Sequence, residues 1–187
     1  SLKGDQSKGI NRAYSLMDLG TASYKTFDPS LFQPLKPSLT QSIQAENSLE
    51  IAKFTAIQAA KELDKPVVRE DHSLFFNALG IPGPYTNYIE KKVPVKKLLE
   101  IMKNQSDRSG YFEVATVYAE PNGFTKEYIL KVPITLSCEE RGNLQTGRNR
   151  IIQLKNEDKT LAEYPEEERL EIWIKNYKLI AEWLIKK

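Results

Sequence analysis

Two adjacent carboxylates, Glu70 and Asp71, are the side chains of this 187-residue chain best suited to bind a cation and activate water. Neighbouring carboxylates repel one another, so a buried pair is tolerated when a cation or a proton offsets one charge. His72 is the single histidine and Cys138 the single cysteine, which excludes a histidine-rich or multi-cysteine metal centre. Carboxylate oxygens are left to hold a cation, and oxygen ligands favour Mg²⁺ over Zn²⁺. The alternative is that the pair caps a turn at a solvated strand end.

Basic side chains in several segments are candidates for binding an anionic ligand. Lys25 follows a turn, where an ammonium group is well placed to contact an anion. The other candidates are Arg148, Arg150, Arg169 and Lys175. The alternative is that these charges lie on solvated helix faces.

The composition indicates a globular protein with no general affinity for polyanions. Lys and Arg number 27 against 25 Asp and Glu, so a formal net charge of +2 predicts neither nucleic-acid nor membrane binding. No apolar run is long enough to span a bilayer. A lone cysteine cannot form an internal disulfide, which favours a reducing, cytoplasmic location. Residues 1–12 are polar, lack the apolar core of a signal peptide and are interpreted as a tail, which leaves residues 13–187 as one domain.

The clearest helix of the chain precedes the carboxylate pair. Asn47 or Ser48 can cap it, and apolar residues recur at helical spacing as far as Leu63. The β-branched residues at 67–68 then predict a short apolar strand that ends at the acidic pair. Because ligands of α/β sheets bind at the carboxyl ends of strands, we expect the pair to face a ligand there.

The remaining elements follow from periodicity and from turn residues. In chain order, the sequence predicts a strand at 13–19, a short helix at 27–35, a strand at 38–44, a helix at 95–102, a hairpin of strands at 111–119 and 128–136, and a closing helix at 166–187. Together with the helix and strand before the acidic pair, these elements predict an α/β fold.

The segment Arg69–Tyr85 resembles the signature of the inosine triphosphate pyrophosphatases, which act on non-canonical purine nucleoside triphosphates. In that family an acidic pair is followed by Ala-Leu and then by a Pro-Gly-x-Tyr turn. Further matches at 50–54, 108–112 and 160–163 come in the family's order and at its spacing, from about residue 14 to the C-terminus. The resemblance implies a two-lobed α/β fold, in which helices flank a central, elongated mixed sheet.

The activity that the resemblance implies is Mg²⁺-dependent hydrolysis of a nucleoside triphosphate, or a related phosphate ester, by a homodimer. A triphosphate substrate would be cleaved to the monophosphate and pyrophosphate. Glu70 and Asp71 match the catalytic and metal-binding acids, and Lys25 matches a phosphate-binding lysine. The remaining matched positions are Arg169 and Lys175 for phosphate, and Arg148, Asn149 and Trp173 for the base pocket.

This sequence departs from the family at several positions of the site. The metal-binding glutamate that precedes the family's helix falls at Ser42, and the lysine within that helix falls at Thr55. The residues that read the purine edge fall at 173–175, and the base-stacking loop at 146–149, without the family's side chains. An active protein is therefore expected to accept a substrate other than inosine or xanthosine triphosphate. The alternative is a catalytically degenerate homologue that acts as a nucleotide-binding or protein-interaction module.

Overall fold

The structure is a computed structural model that describes residues 13–16, 32–34, 45, 47–143 and 147–187, the first two ranges by their backbone only. Its helices are α1 Ser48–Leu63, α2 Thr86–Lys92, α3 Val95–Met102, α4 Glu166–Trp173 and α5 Lys175–Lys186. Its strands are β1 Ala13–Leu16, β2 Phe32–Pro34, β3 Val67–Phe76, β4 Ile81–Gly83, β5 Ser109–Ala119, β6 Thr125–Leu136 and β7 Ile152–Leu154. Short 3₁₀ turns at Gly147–Arg150 and Leu161–Glu163 flank β7.

The described strands form a seven-stranded sheet in the order β2-β1-β3-β5-β6-β7, with β4 paired to β3. Strand β1 runs antiparallel to both of its neighbours, and β7 runs antiparallel to β6. The predicted α/β class is confirmed, as are the helix at 95–102 and the hairpin formed by β5 and β6. None of the helices described is long and apolar enough for a membrane crossing.

Helix α1 forms where the sequence predicted it. Asn47 Oδ1 accepts a hydrogen bond from the Glu50 backbone N–H at 2.9 Å, and Asp64 ends the helix with a left-handed φ of 49°. Four alanines form much of the buried face of α1, and their small side chains allow helix and sheet to approach closely. These are Ala52, Ala56, Ala59 and Ala60, and they cluster with Val67, Ala115, Val117 and Ala119.

Strand β3 is longer than the sequence predicted and carries the acidic pair in its middle. Glu70 and Asp71 are the fourth and fifth of its ten residues, so their predicted position at the strand's carboxyl end is wrong. The strand continues because Leu74 and Phe76, further along, are buried in a hydrophobic core. The intervening polar residues resemble a strand end in sequence, but the fold supplies them with partners.

The predicted helix at 27–35 is wrong for its only described part, since Phe32–Pro34 is a strand. This segment pairs with β1, with Tyr14 opposite Pro34 and Leu16 opposite Phe32. Pairing with a distant strand is a tertiary effect that overrides a local helical pattern. The rest of that prediction, and the strand predicted at 38–44, lie outside the described residues.

The predicted closing helix at 166–187 is divided at Ile174 into α4 and α5, with φ −79° and ψ −3° at the break. Asn176 is buried in the first turn of α5, and its side-chain amide donates to the Val114 carbonyl oxygen at 3.0 Å. This long-range hydrogen bond ties the start of α5 to β5. The apolar periodicity of the segment does not reveal it.

The chain divides into two compact units, as the two-lobed fold implied. Unit 1 contains the described residues of His72–Glu113 and Lys131–Trp173, and unit 2 those of Ile10–Asp71, Val114–Leu130 and Ile174–Lys187. The core of unit 1 is built on Leu74, Phe76, Leu98, Met102, Ile134, Leu136, Ile151, Ile152 and Leu161. Unit 2 has the alanine-rich cluster beneath α1 and a second cluster of Val68, Tyr118, Tyr177 and Ile180 on α5.

Candidate active site

The alternation of side chains along β3 separates the two carboxylates. Successive residues of a strand point to opposite faces of the sheet. Val67 packs in the cluster beneath α1, whereas Val68 packs against residues of α5. Continuing the alternation places Asp71 on the α1 face and Glu70 on the α5 face. The strand therefore does not bring the predicted pair to one face.

Glu70 is a buried residue, 3% exposed, within a polar network of unit 2. Thr116 Oγ1 donates to Glu70 Oε2 at 3.3 Å, and the Asn176 side-chain amide donates to Thr116 Oγ1 at 3.1 Å. A buried carboxylate is costly unless it is hydrogen-bonded, so these contacts stabilise Glu70 where it lies. The network joins β3 to β5 and α5, which is a structural role for Glu70.

Asp71 is the more exposed of the two carboxylates, and it shares its face of β3 with Arg69. Burial lowers the pKa of the Arg69 guanidinium, and the negative charge of Asp71 opposes that change. The two side chains therefore attract each other. Of the two predicted catalytic acids, Asp71 is the one that is partly exposed to solvent.

Arg69 lies beside Asp71 on the same face of β3, and the sequence analysis did not single it out. Its side chain is only 2% exposed, and Nε donates to Thr55 Oγ1 on helix α1 at 3.2 Å. Its Nη1 has no hydrogen-bond partner within the described part of the chain. Arg69 directly follows Val67-Val68 in a buried strand, two residues before Asp71, and that juxtaposition was the available signal.

In unit 1, the buried side chain of Arg148 forms an ion pair with the exposed carboxylate of Glu90. Its Nη2 lies 2.5 Å from Glu90 Oε2 and 3.0 Å from the Thr86 carbonyl oxygen, both on α2. The pair anchors the 3₁₀ turn that also contains the partly buried Asn149. The role of Arg148 and Asn149 in a base pocket stays a prediction.

Trp173, the third residue predicted for the base pocket, contacts two other rings of unit 1. Its ring centroid lies 5.3 Å from that of His72 and 5.1 Å from that of Phe112, which meets it edge-on. It also packs against the core of that unit. Trp173 therefore has a packing role, beside which stacking on a base stays a prediction.

The predicted phosphate-binding residues are distributed over the chain. Arg169 is a partly buried residue of α4 in unit 1, and its Nε has no hydrogen-bond partner in the described residues. Lys175 is exposed at the start of α5 in unit 2. Lys25 lies outside the described residues, as does Ser42.

The described residues contain no group of three or more His, Cys, Asp or Glu side chains arranged to hold a metal ion. A cage made entirely of protein ligands is therefore absent from that part of the chain. Mg²⁺ commonly binds in another way, through one or two carboxylates together with substrate phosphates and water. Asp71 fits that second mode, because it is a partly exposed carboxylate.

Comparison with known proteins identifies the relatives of this chain. The model of the Ham1 family matches residues 22–176. A dITP/XTP pyrophosphatase of Methanopyrus kandleri is 31% identical over 144 residues, which cover 75% of this chain and 77% of the relative. Another of Saccharolobus solfataricus is 34% identical over 128 residues, covering 68% of this chain and 66% of the relative.

A solved structure supports the same relationship at the level of the fold. The HAM1 protein of Coxiella burnetii superposes with a TM-score of 0.67 at 23% sequence identity, covering 79% of this chain and 82% of that protein. The resemblance that the sequence motifs indicated is therefore confirmed by the family model and by the relatives. This chain belongs to the Ham1 family.

Proposed function

We propose that this protein hydrolyses a nucleoside triphosphate, canonical or non-canonical, to the monophosphate and pyrophosphate. Membership of the Ham1 family supports this, as do relatives named dITP/XTP pyrophosphatases. The observation that carries the proposal is the placement of Asp71, a partly exposed carboxylate beside the guanidinium of Arg69 on one face of β3.

The proposed reaction cleaves the anhydride that joins the α- and β-phosphates. One of the two P–O bonds of their bridging oxygen breaks, at either the α- or the β-phosphorus. Water supplies the new oxygen on the phosphorus that is attacked, and its proton must be accepted by a base. Asp71 orients this water and accepts the proton, because an ionised carboxylate is a hydrogen-bond acceptor only. Lys25, Arg169 and Lys175 remain the proposed contacts to the phosphate groups, and Arg148, Asn149 and Trp173 the proposed contacts to the base.

We also propose that the reaction uses Mg²⁺, held by Asp71 together with phosphate oxygens of the substrate. A bound Mg²⁺ neutralises part of the triphosphate charge and so stabilises the charge that develops during cleavage. Glu70, the second predicted ligand, is expected to support Asp71 from the opposite face of the strand. The contact between Glu70 and Thr116 supports this division of roles.

A second candidate function is nucleotide binding or partner binding without turnover. The observation that favours it is the separation of Glu70 and Asp71 onto opposite faces, together with Thr55 at the position matched to a family lysine. Under this alternative the protein binds a triphosphate but releases no pyrophosphate.

The two candidates are separated by an assay of pyrophosphate release. Purified protein is incubated with Mg²⁺ and a panel that contains dITP, XTP and the canonical triphosphates. We expect release with at least one member of the panel, and a loss of about two orders of magnitude or more in Asp71→Asn, since general bases contribute roughly 10²–10⁴-fold. Glu62→Gln, which neutralises an exposed carboxylate on α1 of the same unit, is the matched control and should retain full activity.

Absence of pyrophosphate release from every triphosphate, at high protein concentration, would reject the enzyme. A thermal shift with nucleotide under those conditions would instead support the binding module. Equal activity in wild type and Asp71→Asn would reject the proposed role of Asp71.

We propose, in addition, that the protein is a homodimer. Large apolar side chains are exposed around the Pro-Gly-x-Tyr turn of unit 1, namely Ile81, Tyr85 and Tyr88. Exposed aromatic residues that lie close together are typical of protein interfaces. The turn and the first turn of α2 are therefore the proposed contact surface.

A further inference from the structure

We propose that Arg69 contacts a phosphate group of the substrate. The contact is made by its Nη1 group, which has no hydrogen-bond partner among the described residues. The nature of the substrate rests on the proposed function, but the anion site itself is argued from the contacts of this arginine. Arg69 belongs to strand β3 and lies beneath helix α1.

Within the described residues, the hydrogen bonds of the Arg69 guanidinium are incomplete. An arginine side chain carries five N–H groups, and each buried one is costly when it is unpaired. Nε is satisfied by Thr55 Oγ1 at 3.2 Å, whereas Nη1 is buried without a partner among the described residues. An anion bound at Nη1 would supply the missing acceptor.

The guanidinium of Arg69 carries a positive charge, and the carboxylate of Asp71 lies two residues away on the same face of β3. If Asp71 also holds a cation carried by the substrate, its negative charge is shared, and the guanidinium is then available to a phosphate oxygen. Arginine suits this task because its planar fork matches a phosphate, and burial strengthens the attraction by excluding water.

Arg69 and Asp71 are two residues apart on one face of the strand, which separates their Cα atoms by roughly 6.5–7 Å. A polyphosphate that reaches Asp71 is therefore within reach of the guanidinium. Thr55 orients that group by holding Nε. Arg69 thus places a positive charge beside Thr55 of helix α1, although Arg69 itself belongs to strand β3.

The test measures binding of inorganic tripolyphosphate with Mg²⁺ by titration calorimetry, which does not depend on turnover. We expect Arg69→Met to weaken this affinity at least tenfold, and Arg69→Lys to weaken it about threefold or more, because lysine keeps the charge and loses the fork. Lys53→Met is the matched control. Lys53 lies on the same helix as Thr55, and its Nζ pairs with Glu127 Oε1 at 2.7 Å. Lys53→Met should therefore change the tripolyphosphate affinity less than twofold.

A double variant tests whether the positive charge itself matters. Arg69→Met combined with Thr55→Lys moves the positive charge from β3 to α1. We expect the tripolyphosphate affinity of this double variant to be at least threefold higher than that of Arg69→Met alone. The KM for the triphosphate should follow the same order across the variants. Circular dichroism and thermal melting establish that each variant is folded.

Unchanged tripolyphosphate binding in Arg69→Met would overturn the proposal, even if turnover were lost, since Arg69 would then act only on the structure around Asp71. If Arg69→Met fails to fold, unchanged binding in Arg69→Lys would overturn it instead. Absence of tripolyphosphate binding in the wild type would also overturn it. Failure of the proposed function has a different signature, namely tripolyphosphate binding that depends on Arg69 without pyrophosphate release from any nucleotide.

Discussion

The side-chain amide of Asn176 donates a hydrogen bond to Thr116 Oγ1, and through that hydroxyl it reaches the carboxylate of Glu70. The same amide also donates to the Val114 carbonyl oxygen. One residue at the start of α5 therefore supports the strand that carries the candidate catalytic acid, from the face opposite to Asp71. The network explains how a carboxylate and an amide are accommodated in the interior of unit 2.

Replacing Asn176 by alanine is expected to destabilise the protein by about 1–3 kcal/mol, because the hydroxyl of Thr116 and the carbonyl of Val114 lose a buried donor. The free energy of unfolding from urea denaturation measures the effect. Asn104→Ala, at an exposed position after α3, is the control and should change stability by less than about 0.5 kcal/mol. Equal stability of Asn176→Ala and wild type would show that water replaces the amide at no cost.

The ion pair between Arg148 and Glu90 predicts a difference between two ways of breaking it. Glu90→Gln leaves the buried guanidinium without its counter-charge, and because Glu90 is partly exposed we expect a loss of about 1–2 kcal/mol. Arg148→Met removes the buried charge itself and replaces it with an apolar chain, so its loss should be smaller. Chemical denaturation of both variants decides the order, and a larger loss in Arg148→Met would contradict this account.

Stability is expected to fall at acid pH in part through Glu127. The hydrogen bond from Lys53 is the main cause that lowers the pKa of this carboxyl below its ordinary value, and Thr125 contributes. A lowered folded-state pKa means that the stabilisation is present above the ordinary carboxyl pKa and is lost as the pH falls through the folded-state value.

The measurement is the difference in unfolding free energy between wild type and Glu127→Gln as a function of pH. It should be at most about 1 kcal/mol near neutral pH, as for other partly exposed ion pairs, and should shrink below about pH 4. A difference that is constant down to pH 2 would exclude this contribution of Glu127.

The proposed dimer surface predicts that one charge disrupts association. Tyr88 is 62% exposed on α2, so Tyr88→Glu should leave the fold intact and shift the protein toward monomer. Sedimentation or light scattering measures the mass, and circular dichroism checks the fold. Phe124→Glu, at an exposed aromatic in the β5–β6 turn of unit 2, is the control and should leave the mass unchanged. Wild-type protein that is monomeric at high concentration would reject the dimer.

Much of the fold was predictable because its signals are local or belong to the family. Helix α1 follows from its Asn47 cap and its alanine face, and the β5–β6 hairpin follows from alternation on either side of a turn. The motif between Arg69 and Tyr85 identified the family, which the family model confirms. Each of these features is a property of neighbouring residues, and so the sequence carries it directly.

The sequence by itself determined which carboxylates and cations the chain has and which family it belongs to. Only the tertiary structure decided where β3 ends, and therefore that Glu70 faces the Asn176 network while Asp71 shares a face with Arg69. The physical reason is that strand length depends on pairing and burial supplied by distant segments. Burial also decides which polar groups are left without partners, and that is why the role of Arg69 becomes visible only in three dimensions.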